Sequence, residues 1–495
     1  MASNNYKKGG ATRIVARIFL LIEVAAFTVM CLMLNRVLPM KYLGILIGVC
    51  VLISAIQLIL VAGRGSGRNI ASIVLSILFC AAAALAIYFM GSVHTTLDKI
   101  SSTSKKQTAT IQTMNIYVRK ADNLMVVADL EGRSVGVLQA QDRINTDLAL
   151  EQIKALCGGS LRIAEFQGIL PLINGLANYD SDAILINSAF AGAITENDPS
   201  FLEWAELLGT VDVTRNPDEA AETAGVSGNF RTGRAVPDVS RDPFLIYLTG
   251  MDTRTDEIVA DLGNSDVNMV IAVNPSTHKI LMINIPRDYY WYLWGDESYP
   301  DKITHAGCYG VECSVQTIDS LFGINTNYFV KVGFNSVINI VDSIGGITVN
   351  SPYDFTIEGV EIHAGENYLD GNGALQFARE RYQLPGGDRA RGMNQQEVIR
   401  AIISKVSSPS MLPRYRDIIS IIAANTATSL TAEDMEKLFK NTLEKGAWDI
   451  QSIQVDGAGD WGYCYTLGED NDIMIPDMST VESAKEKITG VIRGQ

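Results

Sequence analysis

Three apolar stretches in the first ninety residues constrain this chain more than any other feature. They occupy residues 18–34, 42–62 and 70–90. Each is about the ~20 residues a helix needs to cross the hydrocarbon core of a bilayer. A cleaved leader is the competing reading of the first stretch. Two further spans follow at once and no small-residue cleavage site is visible, so the three are read as a retained anchor filling residues 1–92. Lys7, Lys8, Arg13 and Arg17 precede the first span, and Arg64 and Arg68 lie between the second and third. Positive charge of this kind stays inside. Arg36 and Lys41 then fall outside, which weakens the bias without reversing it. With three spans and an inner N-terminus, everything after Met90 is expected outside the cell. Glu23, inside the first span, is expected to play an interfacial, structural role.

The remainder reads as ordinary soluble protein in two α/β regions. Residues 113–214 alternate short apolar runs with amphipathic stretches: strands at 134–138, 161–166 and 181–187, helices at 147–156 and 168–177. Its order of elements resembles part of a periplasmic solute-binding domain. An accessory spacer is the simpler reading, and a small-ligand sensor is the alternative. Residues 215–242 look like an exposed linker. A second region, 243–495, carries strands at 244–249, 267–274 and 279–285 and further helix and strand candidates beyond.

The chain is acidic, with a formal net charge of −15 over 495 residues. Bulk charge therefore does not draw it to polyanions, and an outside location excludes direct nucleic-acid binding. Any phosphate site must rest on a local basic cluster, and there is one. Arg379, Arg381, Arg389 and Arg391 fall within thirteen residues, opposed only by Glu380 and Asp388. Upstream, Asp252 follows the first strand, Asp266 opens the second, and Arg287 and Asp288 end the third. Ends of strands are where α/β folds place ligands. Asp252 and Asp266 suit a Mg²⁺ ion, and arginines grip phosphate oxygens bidentately. One such residue alone is better read as a surface ion pair; four clusters at strand ends point to a pyrophosphate site for phosphoryl transfer.

The order GMDTR, SDVN, IPRD, DKITHAGCYG, DSIGGI, ALQFARER and GDRARGMNQQ resembles the LytR-CpsA-Psr (LCP) family, particularly its CpsA-like branch. That branch shares the layout of three spans, an accessory domain and a catalytic domain. The resemblance implies a mixed central sheet with flanking helices around an apolar groove for a polyprenyl chain. It implies a Mg²⁺-dependent phosphotransferase that moves a glycopolymer-phosphate from an undecaprenyl-diphosphate carrier onto peptidoglycan, as in attachment of capsule or teichoic acid. By motif position, Asp252 and Asp266 match the metal-associated aspartates. Arg287, Arg379, Arg381 and Arg391 match the catalytic arginines, and Arg389 and Lys302 join them as expected donor-binding residues. Two departures stand out: Asn264 sits where many members carry arginine, and Asn394–Gln395 where other branches read Arg-Gln. A non-catalytic lipid-binding regulator or scaffold of capsule assembly is the alternative function.

Some residues are read more blandly. His305 is expected to be structural. Asp288 and Asp388 are expected to orient arginines, and Gly345–Gly346 to make a tight turn. Trp291 and Trp294 are expected at the groove mouth or the membrane surface. The seven cysteines show no zinc spacing, and the spacing of Cys308 and Cys313 leaves a disulfide open.

Overall fold

A computed structural model of the protein describes residues 2–35, 40–62, 66–105, 110–215, 235–251 and 262–495. They form two compact units. One comprises residues 1–105, 407–416 and 432–447; the other comprises 106–406, 417–431 and 448–495.

The first unit is built on helices α1 (Ala2–Leu34), α2 (Met40–Ala62) and α3 (Ser66–Lys105). Thr12–Leu34, Met40–Ala62 and Gly67–Leu85 within them are long and apolar enough to span a membrane. The outer surface of these helices is apolar, unlike that of a water-soluble bundle. Leu21, Leu32, Ile45 and Leu58 point outward, while Glu23, Gln57, Ser72 and Ser76 are buried. Gln57 donates to Glu23 at 2.7 Å and accepts from Ser76 at 2.7 Å and Ser72 at 3.2 Å, tying the three helices together. Glu23 is therefore inside the bundle and not interfacial. In hydrocarbon a carboxyl group is best satisfied by polar side chains of neighbouring helices.

The second unit holds two large sheets and several two-stranded ones. The first contains β1 (Thr110–Arg119), β2 (Ser134–Leu138), β3 (Arg162–Phe166), β4 (Ala183–Asn187) and β5 (Ala205–Arg215) in the order β3-β2-β4-β1-β5. Strands β3, β2 and β4 are parallel, and β1 runs antiparallel to both β4 and β5. Helices α4 (Arg143–Leu156) and α5 (Ile169–Ala177) are the crossovers. The second sheet contains β6 (Phe244–Met251), β7 (Ser265–Asn274) and β8 (Lys279–Ile285) at its centre. It is completed by β9 (Tyr328–Val332), β10 (Ala427–Thr428) and β11 (Asp449–Gln454), in the order β10-β9-β6-β7-β8-β11. Parallel and antiparallel pairs mix in it, as the resemblance implied.

Each face of this sheet is covered because its strands alternate two apolar sets. Leu245, Tyr247, Val270, Ala272, Leu281 and Ile283 pack against Val315, Ile318 and Leu321 of the helix Val311–Phe322 and Val481, Ala484 and Ile488 of the helix Met478–Ile492. On the opposite face the helix Asp388–Val406 seats Gln396, whose side-chain amide donates to the carbonyls of Met282 at 3.2 Å and Ile453 at 2.8 Å. Gly345 and Gly346, at φ +76° and +74°, make the turn into the strand Ile347–Ser351. Left-handed backbone of this kind favours glycine.

The first sheet packs directly on the hairpin of strands Gly457–Cys464 and Glu469–Pro476 and is not a detached spacer. Leu138, Ile169, Leu172, Phe190 and Ile194 share one buried cluster with Cys308, Cys464, Leu467 and Ile473. Helix α5 (ILPLINGLA) buries Ile169, Leu172, Ile173 and Leu176 and leaves Asn174 exposed. The amides of Ile169 and Leu170 donate to the carbonyls of Thr466 at 3.2 Å and Leu467 at 3.0 Å. Gln141 donates to the Tyr465 carbonyl at 2.7 Å.

Candidate active site

The site is assembled first by a register shift. Residues 244–250 of β6 pair in step with 267–273 of β7, but Met251 pairs with Ser265, so Asp266 is the extra residue of a bulge. Bulges re-aim side chains at strand ends. Beneath it lies a buried polar network. Thr249 and Ser265 hydroxyls are 2.5 Å apart, Ser265 donates to Asn268 at 2.9 Å, and Tyr247 donates to the same Asn268 oxygen at 2.5 Å. Asn268 returns a hydrogen bond to the Ser265 carbonyl at 2.8 Å. A network satisfied this way holds the bulge rigid.

From β8 the chain passes through Pro286 to Arg287, whose carbonyl accepts from Thr304 at 3.0 Å. The Arg287 side chain is 10% exposed, and its terminal nitrogens ion-pair with Asp266 and Glu196. Its Nε faces Asp288 at 3.6 Å, and Lys302 reaches the same Asp288 oxygen at 3.8 Å. Neither Nε nor that oxygen has a hydrogen-bond partner among the described residues.

The other arginines arrive from two helices and the connection between them. Arg379 ends the helix Gly371–Arg379 and lies over the Phe334 ring, 4.4 Å from its centre. Arg381 lies in the connection and donates to the Tyr382 hydroxyl at 2.7 Å. Arg389 and Arg391 lie in the first turn of the helix Asp388–Val406, and Arg391 ion-pairs with Asp388. Arg389 takes a different partner, Asp456, and is largely exposed.

The charges interact as a group. Burial pushes the Arg287 guanidinium below its ordinary value. Asp288 and Asp388 oppose that shift, while Arg391 and Arg381 add to it. Arg381, despite burial, is raised by its contact with Tyr382 and by Asp388 and Asp266. Tyr382 is in turn held below the ordinary phenol range by the Arg381 hydrogen bond, with Arg391 and Arg287 contributing. Arg287, Arg381 and Arg391 therefore converge with Asp266, Asp288 and Asp388. The N-terminus of the helix Asp388–Val406 begins among them, where its dipole favours an anion.

Asp252 lies outside the described residues; Met251, which precedes it in the chain, pairs with Ser265, which precedes Asp266. Lys302 is buried beside the cluster and also pairs with Asp472 at 3.2 Å. His305 is buried 2.6 Å from Asp301, whose other oxygen accepts from the Thr466 amide at 2.7 Å, so this pair is structural. Cys308 and Cys313 are free thiols, not a disulfide, and burial pushes both pKa values up. Trp291 donates to Ser320 at 2.9 Å, and Trp294 packs between Tyr299 and Tyr309. The two tryptophans therefore buttress the helix Val311–Phe322 and an aromatic cluster. Asn394 donates to the Phe377 carbonyl at 3.0 Å and joins the helices that carry the arginines.

Sequence reasoning did not find Glu196, Tyr382 or the network under Asp266. Tyr382 stood between motif residues and was readable as a neighbour of Arg381. Glu196 carries no local signal, because only the fold brings it 91 positions along the chain to Arg287.

The sequence model described as the LytR_cpsA_psr family matches residues 211–476. The chain is 37% identical over 222 residues to the polyisoprenyl-teichoic acid–peptidoglycan teichoic acid transferase TagU of Bacillus mycoides (strain KBAB4), covering 44% of this chain and 70% of that protein. It is 36% identical over 238 residues to the protein of the same name from Bacillus licheniformis, covering 47% and 72%. Among solved structures it is similar to B. subtilis TagU, at 28% identity and a TM-score of 0.40 over 51% of this chain and 97% of that one. It is also similar to protein gbs0355 from Streptococcus agalactiae, at 25% identity and a TM-score of 0.44 over 51% and 89%. The chain belongs to the LytR_cpsA_psr family and is a transferase of that type.

Proposed function

We propose that the protein moves a glycopolymer-phosphate from an undecaprenyl-diphosphate carrier onto peptidoglycan at the outer face of the membrane. One observation carries this reading: Arg287, Arg381 and Arg391 converge with Asp266 at strand and helix ends in an otherwise acidic chain. The names of the relatives support it, since each is a transferase joining polyisoprenyl-linked teichoic acid to peptidoglycan.

In the proposed reaction an acceptor hydroxyl of peptidoglycan attacks the glycan-bearing phosphorus. A new P–O bond forms, the P–O bond to the bridging oxygen breaks, and polyprenyl phosphate leaves. The hydroxyl proton is released to solvent. Arg287, Arg381 and Arg391 bind the phosphate oxygens and stabilise charge that grows on them, which is most of what phosphoryl transfer asks of a protein. Lys302, against Asp288, holds that carboxylate beside Arg287. Arg379, on the Phe334 ring, is assigned to the same donor, and exposed Arg389 to its outer part. Asp266 offers carboxylate oxygen of the kind hard cations such as Mg²⁺ take, and Asp252 is its proposed companion. When bound, the ion would neutralise phosphate charge and polarise the transferring group.

The outer location rests on charge bias and on one contact set. The helix Ala432–Lys445 meets the α1–α2 end of the bundle, where Lys440 donates to the Asn35 carbonyl at 2.9 Å and Lys41 to the Glu444 carbonyl at 3.1 Å.

The test uses the full chain in detergent with a polyprenyl-diphosphate-linked glycan and peptidoglycan fragments. Wild type should form the glycan–peptidoglycan phosphodiester. Arg→Lys at 287, 379, 381 or 391 keeps the charge but loses the bidentate fork. One charged hydrogen bond is worth about 1.5–3 kcal/mol, so each variant should transfer about 10- to 100-fold more slowly. Absence of product, or unchanged rates in all four variants, overturns the proposal.

A further inference from the structure

Arg287 is the hub of the cluster, and three carboxylates surround its guanidinium. Asp266 and Asp288 come from the strand ends beside it, whereas Glu196 comes from the other sheet's side of the unit. Glu196 sits near the end of the short helix Ala191–Asn197 and lies outside residues 211–476, the part the family shares. The helix that carries it is anchored, not loose. Ala193 and Ile194 are buried in the shared core, and Asn197 accepts from Asn471 at 2.8 Å. Asn264, next to the bulge, donates to the second Glu196 oxygen at 3.2 Å, and its own carbonyl oxygen accepts from the Cys308 thiol at 3.4 Å.

A carboxylate and a phosphate compete for the same two-pronged donor. An incoming diphosphate must displace something from Arg287, and the three candidates differ in exposure. Glu196 is 36% exposed, against 25% for Asp266 and 28% for Asp288. It is also the one of the three set outside the strand ends, on a long side chain that can swing into water. We propose that Glu196 is a built-in competitor for the phosphate subsite on Arg287, held in place by the accessory sheet and displaced when the donor's diphosphate binds. The accessory sheet thereby sets donor affinity. The proposal rests on the reading that Arg287 binds the diphosphate.

The test is binding of farnesyl diphosphate to the full chain in detergent, with thermal melting as a fold control. Glu196→Gln and Glu196→Ala remove the competing charge and should tighten binding roughly two- to fivefold, the scale expected of a partly exposed pair. Asn264→Ala frees the same carboxylate and should tighten binding less. Arg287→Lys, which loses the fork, should weaken binding. Unchanged or weaker binding in both Glu196 variants, with Arg287→Lys still impaired, overturns the competitor and leaves the diphosphate reading standing. Undiminished binding by Arg287→Lys removes the diphosphate reading and this proposal with it.

Discussion

Gly168 lies where the first sheet's region meets the turn of the hairpin 457–476, and Gly168→Ala tests whether that seam matters. A Cβ at this position would sit 2.5 Å from the carbonyl carbon of Leu467 and overlap the backbone of Gly468. Ordinary carbon–carbon contact is about 3.5 Å or more, so one backbone must move by about 1 Å. No rotamer can relieve this, because the obstruction is main chain on main chain. Overpacking of this kind costs about 1–3 kcal/mol. The shift also strains the amide hydrogen bonds of Ile169 and Leu170 to Thr466 and Leu467. Each is worth about 0.5–1.5 kcal/mol net, so the total is about 2–6 kcal/mol. At about 2 °C per kcal/mol for a unit of this size, the second unit should melt roughly 4–12 °C lower. Gly490→Ala is the matched control. It stands in a helix with nothing within 4 Å of its Cβ, and it should stabilise by up to about 1 kcal/mol. Because Ile194 and Ile169 share one core, opening the seam should also loosen Glu196 and tighten farnesyl diphosphate binding. A Gly168→Ala protein that melts within about a degree of wild type, with unchanged affinity, would refute the reasoning.

Two further outcomes are expected. Asp252→Ala and Asp266→Ala should each abolish Mg²⁺-dependent transfer without unfolding the protein; wild-type turnover at low Mg²⁺ in both would remove the metal assignment. Met125 is exposed in the first sheet's region, so Met125→Cys should react with a membrane-impermeant maleimide in intact cells. Labelling only after permeabilisation would place the second unit inside.

Much of the architecture was legible because it is written locally. Apolar runs of membrane length predicted α1–α3, and short apolar runs predicted β2 and β8 at their observed bounds, as strands buried on both faces are expected to read. The motif order from GMDTR to GDRARGMNQQ carried the family and hence the mixed sheet. Sequence alone did not show which way a polar membrane residue would turn. Glu23 went to the bundle interior because Gln57 was there to meet it. Nor could it separate Arg389 from its neighbours, since spacing along a helix does not reveal that Asp456 waits on one side. The bulge at Asp266 is a property of two strands in register, and neither strand contains it alone. The seam at Gly168 and Gly468 depends on chain segments 300 positions apart meeting at backbone distance. Glu196 is the sharpest case. It is an unremarked acidic residue in a short helix until the shared core carries it to Arg287. Local patterning determines which elements form; long-range packing decides which charges face one another, and the chemistry of this site lies in the second.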